Sequence, residues 1–245
     1  MISERVGEGS GCMIIECVWE HNGDDSILFS SNIVGAFTRG ASKDEVLRKM
    51  PGEALSFGRW SGTQIELPLE VVITQEKASD LNVRDADSDV LFDTERMALT
   101  AEEYEKLKRL ALKSARDFQK LYESFPDKNK SALKERDTFY GKIPRTAEEM
   151  YRHTKNVNGY YWGEIEVPAD NGGTIVECRT RGFDALEKTD GFLSGRVFDG
   201  SYGEEWSLPK VLRRFIWHDR IHAKAMYRMG IKTFGGDAVP NVFMF

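Results

Sequence analysis

Two of the four histidines in this 245-residue chain stand four apart, in Trp217-His218-Asp219-Arg220-Ile221-His222. On an α-helix, residues i and i+4 lie one above the other on the same face. The apolar stripe around them runs through Val211, Phe215, Ala225 or Met226, and Met229, and positions 218 and 222 fall on it. Two imidazoles are thereby aimed at a core, where an unpartnered polar group costs on the order of 1–3 kcal/mol. A metal ion would satisfy them, since neutral imidazole is the commonest metal-ligating side chain. Core hydrogen bonds are the other solution. His153 sits on a separate helical stripe with Met150, Val157, Tyr160 or Tyr161, and Glu164. The expected metal ligands are therefore His153, His218 and His222.

Three neutral nitrogens leave coordination positions open on such an ion. An ion held this way can lower the pKa of a bound water or thiol and keep the anion as a nucleophile. No acid or base beside it stands out. Glu164 is about three turns from His153, too far along the helix. Asp219 turns about 100° off the stripe; it could orient a ligand from behind or pair at the surface with Arg220 or Arg214. The fourth histidine, His21, falls in a turn cluster and reads as solvated. The His218-x-x-x-His222 spacing is also that of a zinc-protease helix, with aspartate in place of glutamate. That class takes its third ligand from downstream, where this sequence has Asp237 and no histidine.

These side chains need helices to position them, and the sequence marks where the helices start. Thr100, Thr146 and Thr174 are each followed three residues later by glutamate, the signature of a capping box. From Thr100, a stripe of Tyr104, Leu107, Ala111, Ser114, Phe118, Leu121 and Phe125 describes one long helix ending near Pro126. A polar connection spans 127–145. The second helix runs from Thr146 to about Glu166 and the third from Thr174 to about Thr189. A glycine-rich connection over 190–206 could be a substrate lid or only a loop. The fourth helix starts at Ser207 and Pro209 and reaches Met229. The apolar tail Val242-Phe243-Met244-Phe245 is expected to pack back on the protein.

The first 78 residues read differently. Residues 12–20 and 27–37 suggest a hairpin around the turn His21–Asp25. Ser42-Lys43-Asp44-Glu45 caps a helix that Pro51 kinks or splits and that Gly58 to Gly62 ends. Residues 64–74 alternate as a third strand, with Pro68 suggesting a sheet edge. The fold class is therefore α+β. A small β-β-α-β domain (1–78) leads through an acidic linker (79–97), docked by Val90, Leu91 and Phe92, to a four-helix bundle with a C-terminal tail (98–245).

Bulk properties narrow the function. A net charge of −6 argues against nonspecific nucleic-acid or anionic-membrane binding. No run of about 18 apolar residues exists, so nothing is expected to span a bilayer, and residues 1–10 lack a hydrophobic signal core. A cytoplasmic protein is expected. Cys12, Cys17 and Cys178 are an odd number without a CxxC pair, which argues against disulfides and a thiolate zinc site.

Residues 98–230 resemble the DinB-like superfamily of metal-dependent four-helix bundles. The resemblance is carried by His153 in Met150-Tyr-Arg-His153, the aromatic Tyr160-Tyr161-Trp162, and the His218, His222 pair following Arg213-Arg214-Phe215-Ile216-Trp217. It implies that the three histidines bind one divalent ion, zinc or nickel. It also implies a homodimer and thiol-dependent transfer or isomerisation using a low-molecular-weight thiol and a small electrophilic substrate. The join Gly35-Ala36-Phe37 through Gly40 into Ser42-Lys43-Asp44-Glu45 resembles the HicB-like fold. Only the fold carries over from that family, since the chain shows no basic DNA-binding helix. The two segments together resemble an arrangement found in bacterial proteins. The contrasting reading is a non-catalytic, stress-related or protein-interaction module whose metal site is structural or vacant.

Overall fold

The computed structural model describes residues 12–138 and 141–245, so the reading of residues 1–10 lies outside the described residues. The protein is mixed α+β. Four strands form one sheet: β1 (Met13–His21), β2 (Ser26–Ser30), β3 (Phe37–Gly40) and β4 (Leu69–Ala78), in the order β3-β2-β1-β4. β1 pairs antiparallel with β2 and parallel with β4, and β2 pairs antiparallel with β3. The first hairpin is closed by Asn22, whose Oδ1 accepts from the amides of Asp24 and Asp25 at 3.0 and 2.8 Å.

The single strand expected over 27–37 is in fact two. Asn32 ends the first by accepting from the Glu16 amide and donating to the Ile14 carbonyl. The chain then folds back through Gly35, whose φ of +102° favours glycine. A Cβ there would lie 2.3 Å from Ile216 Cγ2, so this turn also needs glycine to meet the last helix. The strand expected over 64–74 starts later, at Leu69, and lies at a sheet edge.

α1 (Lys43–Ser61) runs unbroken through Pro51. Ser42 Oγ accepts from the Glu45 amide, while the Glu45 carboxylate accepts from Ala41 N rather than closing the box on Ser42. Gly62, at φ +80°, ends the helix by donating to the Gly58 carbonyl. The linker docks as expected, with Val90, Leu91 and Phe92 all buried.

The remaining helices are α2 (Ala101–Glu123), α3 (Ala147–Gly163), α4 (Ile175–Leu186) and α5 (Leu208–Phe234). Thr100, Thr146 and Thr174 each close a full capping box on α2, α3 and α4, and Ser207 caps α5. α2 packs on α3, α4 and α5, and α3 packs on α4 and α5. Two short hairpins interrupt the connections: β5 (Asp137–Thr138) with β6 (Gly141–Lys142), and β7 (Val197–Asp199) with β8 (Glu205–Ser207). The second hairpin is pinned, because Trp206 is fully buried and the Ser201 amide donates to Glu164. The later part of the 190–206 connection is thus anchored at Ser201 and Trp206.

The sheet and the helices share their interior through α5. Trp217 packs edge-on against Phe29 and Phe37 of the sheet, in one buried cluster with Val18, Ile27 and Phe92 of the linker. On the other side, Arg220 donates to Glu53 at 2.9 Å and to Ser56 Oγ at 3.1 Å on α1, and to the Phe243 carbonyl at 3.2 Å. Phe243 is buried and stacks on Trp60, so the apolar tail packs back against α1. Arg213 is likewise buried and donates to Glu95 and to the Val90 carbonyl. α5 is thus buried on nearly every face from Leu208 to Arg220, with each of its buried charges paired.

Candidate metal centre

His153 stands two turns into α3, and His218 and His222 lie in the middle of α5. The helices cross so that the three rings meet. Ring centroids are 5.3 Å apart for His153 and His218, 4.7 Å for His153 and His222, and 4.4 Å for His218 and His222. One ring nitrogen from each lies within 4.8 Å of the other two, and the Nε2 atoms of His218 and His222 are 3.1 Å apart. Two nitrogens bound at 2.0–2.1 Å to one tetrahedral ion sit roughly 3.3 Å apart, so the α5 pair already has the spacing of shared ligands. The group includes no carboxylate or thiolate.

Electrostatics favour the ligating form. Burial, with His222 and His153 close by, holds His218 well below the usual histidine range. Burial and His153 bring His222 down to about 3, and burial lowers His153 as well. All three rings are therefore neutral near pH 7, each with a lone pair to give. A ligating histidine usually donates its second nitrogen to an outer partner. Here His218 Nδ1 is buried and has none among the described residues. The ring is held instead by packing, with Tyr161 edge-on at 6.0 Å and Trp217 at 6.4 Å. On donor type, spacing and protonation, these residues fit a divalent ion.

Burial grades across the site. His218 is buried, His222 half-buried and His153 exposed. The buried stripe of α3 runs Met150, Thr154, Asn158 and Tyr161, which corrects the core-facing position expected for His153. It lies on the border of that stripe and closes the site from the solvent side. Its outer flank forms one wall of a cleft of about 400 Å³.

Asp219 also departs from expectation. It is fully buried and forms no surface pair with Arg214 or Arg220, which bond Glu204 and Glu53. Its carboxylate accepts two hydrogen bonds from Arg179 of α4 and one from Ser114 of α2. The Arg179 guanidinium stacks on Phe215, 4.1 Å from the ring centroid. Asp219 therefore ties α5 to α2 and α4 directly behind His218. Sequence reasoning missed Arg179, although a signal existed: it stands four residues from both Ile175 and Phe183, on the stripe of α4. Glu164 is spent on the Ser201 amide. His21 is remote from the centre, stacked on Trp19 and 3.2 Å from Glu76.

Cys17 and Cys178 are buried and Cys12 is exposed, all three as free thiols. Burial pushes Cys17 up to about 12 and raises Cys178, so neither offers a thiolate. Among the described residues no helix is long and apolar enough to cross a membrane. No family model, curated protein or solved structure matches this chain.

Proposed function

We propose that this chain is a DinB-like, divalent-metal-dependent enzyme, fronted by a HicB-like module, that transfers a low-molecular-weight thiol to a small electrophilic substrate or hydrolyses such a substrate. The observation that carries the reading is the convergence of His153, His218 and His222. Three neutral imidazoles drawn from two helices meet with no anionic ligand beside them. An ion held by neutral ligands keeps its full positive charge. When bound, it would supply a Lewis acid that lowers the pKa of a thiol or water. The chain's own residues do the rest. The two α5 histidines fix the buried side of the site, and His153 closes it from α3. Tyr161 and Trp217 exclude water behind His218. The Asp219–Arg179–Ser114 network holds α5 in register with α2 and α4. The HicB-like reading of the N-terminal segment rests on its strand-rich sheet with one capped helix. The cytoplasmic location and a homodimer belong to the same proposal.

The test is thiol consumption. Purified protein, reloaded with zinc or nickel, is mixed with a low-molecular-weight thiol and an electrophilic aryl halide. Metal-dependent consumption that His218→Ala abolishes supports the reading. Equal consumption in wild type, His218→Ala and buffer would exclude thiol transfer, and the same comparison with an activated ester addresses hydrolysis.

A further inference from the structure

We infer that the cleft beside His153 receives the anionic end of a small molecule, a carboxylate or phosphate group, and that Arg152 is its principal anchor. The inference deepens the proposed function, because it relies on the substrate's reactive end meeting the histidine centre.

The cleft has about 400 Å³ of space, within the range of small-molecule sites. Arg136, Lys142, Arg145 and Arg152 line it, against Glu135 and Glu149. The chain as a whole is acidic, with a net charge of −6, so this is a local reversal of sign. Both carboxylates are already engaged. Glu149 is the capping carboxylate of α3, accepting from the amides of Arg145 and Thr146 at 2.8 and 3.1 Å. Glu135 sits between Lys142 at 3.3 Å and Arg145 at 3.4 Å. Arg136 is held by Asp85 at 2.9 Å. Arg152 has no acidic partner among the described residues. It adjoins His153 in the chain, and Asn156 follows one turn later along α3. A guanidinium presents a planar fork of donors that matches the two oxygens of a carboxylate or phosphate.

The geometry also gives a direction of approach. The centre is sealed on the α5 side by buried His218, and its exposed member is His153, which walls the cleft. A molecule entering there meets Arg152 and Lys142 of β6 with one end and His153, the outermost of the three histidines, with the other. An anion bound at one end would fix which atom reaches the centre, the positioning that raises effective concentration.

The experiment is calorimetric titration of the full chain with succinate and with its neutral analogue succinamide, with metal content measured on every preparation. Wild type should bind succinate and not succinamide, more weakly as salt rises. Arg152→Gln should weaken succinate binding at least tenfold while keeping its metal and its melting temperature. Arg152→Lys should fall between them. Unchanged succinate affinity in Arg152→Gln, equal binding of succinamide, or no succinate binding at millimolar concentration by wild type would overturn the inference. Because Arg136 also lines the cleft, Arg136→Gln gives a second, independent variant with the same expected direction. Failure of the metal reading shows separately, as wild type carrying no more metal than His218→Ala, and succinate titration of those preparations still decides the cleft.

Discussion

Replacing Asp219 with alanine should be among the most damaging changes available in this chain, although the side chain touches no solvent and no substrate. Asp219 and Arg179 are both fully buried, and the carboxylate takes two hydrogen bonds from the guanidinium, one of them at 3.1 Å, and a third from Ser114. Intact, such a pair roughly balances its desolvation against its attraction. Deleting one partner removes the balance. The Arg179 charge would stay in the core with the Ala111 carbonyl and the Phe215 ring for company. Breaking a buried pair in this way costs about 3–5 kcal/mol, a large share of a typical total of roughly 5–15 kcal/mol. At about 2–4 °C per kcal/mol for a chain of this size, the melting temperature should fall by roughly 6–20 °C. Thermal unfolding followed by circular dichroism measures this directly. Asp219→Asn, which keeps an acceptor, should lose less. The double change Arg179→Met with Asp219→Leu should also lose less than Asp219→Ala alone, because it strands no charge. A melting temperature for Asp219→Ala within a degree or two of wild type would refute the argument, as would a double variant less stable than the single one.

Two further outcomes follow from other parts of the fold. Glu20 is fully buried beneath the linker, and burial pushes its carboxyl up from 4.5 to about 7, with the Ser88 hydroxyl opposing. The folded state therefore holds a proton that the unfolded chain releases, so stability should decline as pH rises from about 4.5 to about 7, by up to roughly 3 kcal/mol. In Glu20→Gln that part of the slope should vanish, and an unchanged slope in denaturant titrations across this window would contradict the assignment. Gly182 of α4 lies against Trp162 so closely that a Cβ would meet the indole Nε1 at 2.0 Å. Gly182→Ala should therefore cost about 1–3 kcal/mol by displacing a fully buried ring, with a shift in tryptophan fluorescence; an unchanged melting temperature and spectrum would count against it.

The comparison of sequence with structure has a physical pattern. Features written in local chemistry were legible: Thr100, Thr146 and Thr174, each with glutamate at the third position before a helical stripe, began helices where expected, because the cap is made by neighbours in the chain. Features set by tertiary contact were not. The segment 27–37 has the composition of one strand, and its division depends on Asn32 reaching across to the β1 backbone. The start of β4 at Leu69 rather than 64 is set by its pairing with Met13. One apolar stripe on α5 leaves Asp219 open to a surface pair, whereas from Leu208 to Arg220 the helix is buried on nearly every face among α2, α3, the sheet and α1. The position of Asp219 four residues from both Phe215 and Ala223 was the available clue. The meeting of His218 with His222 was legible from their four-residue spacing. His153 at the rim was not, since period alone places a residue to about one position on a helix face, and 153 and 154 straddle the boundary.

The claim at the centre of this account is that the imidazoles of His153, His218 and His222 share one divalent ion. The most direct test is elemental analysis by mass spectrometry of protein stripped with chelator, reloaded with zinc or nickel, and freed of excess. Wild type should retain about one ion per chain, the number a single three-histidine site can hold. His218→Ala and His222→Ala should retain almost none, and His153→Ala a reduced amount. Wild type and His218→Ala emerging with the same metal content would contradict it.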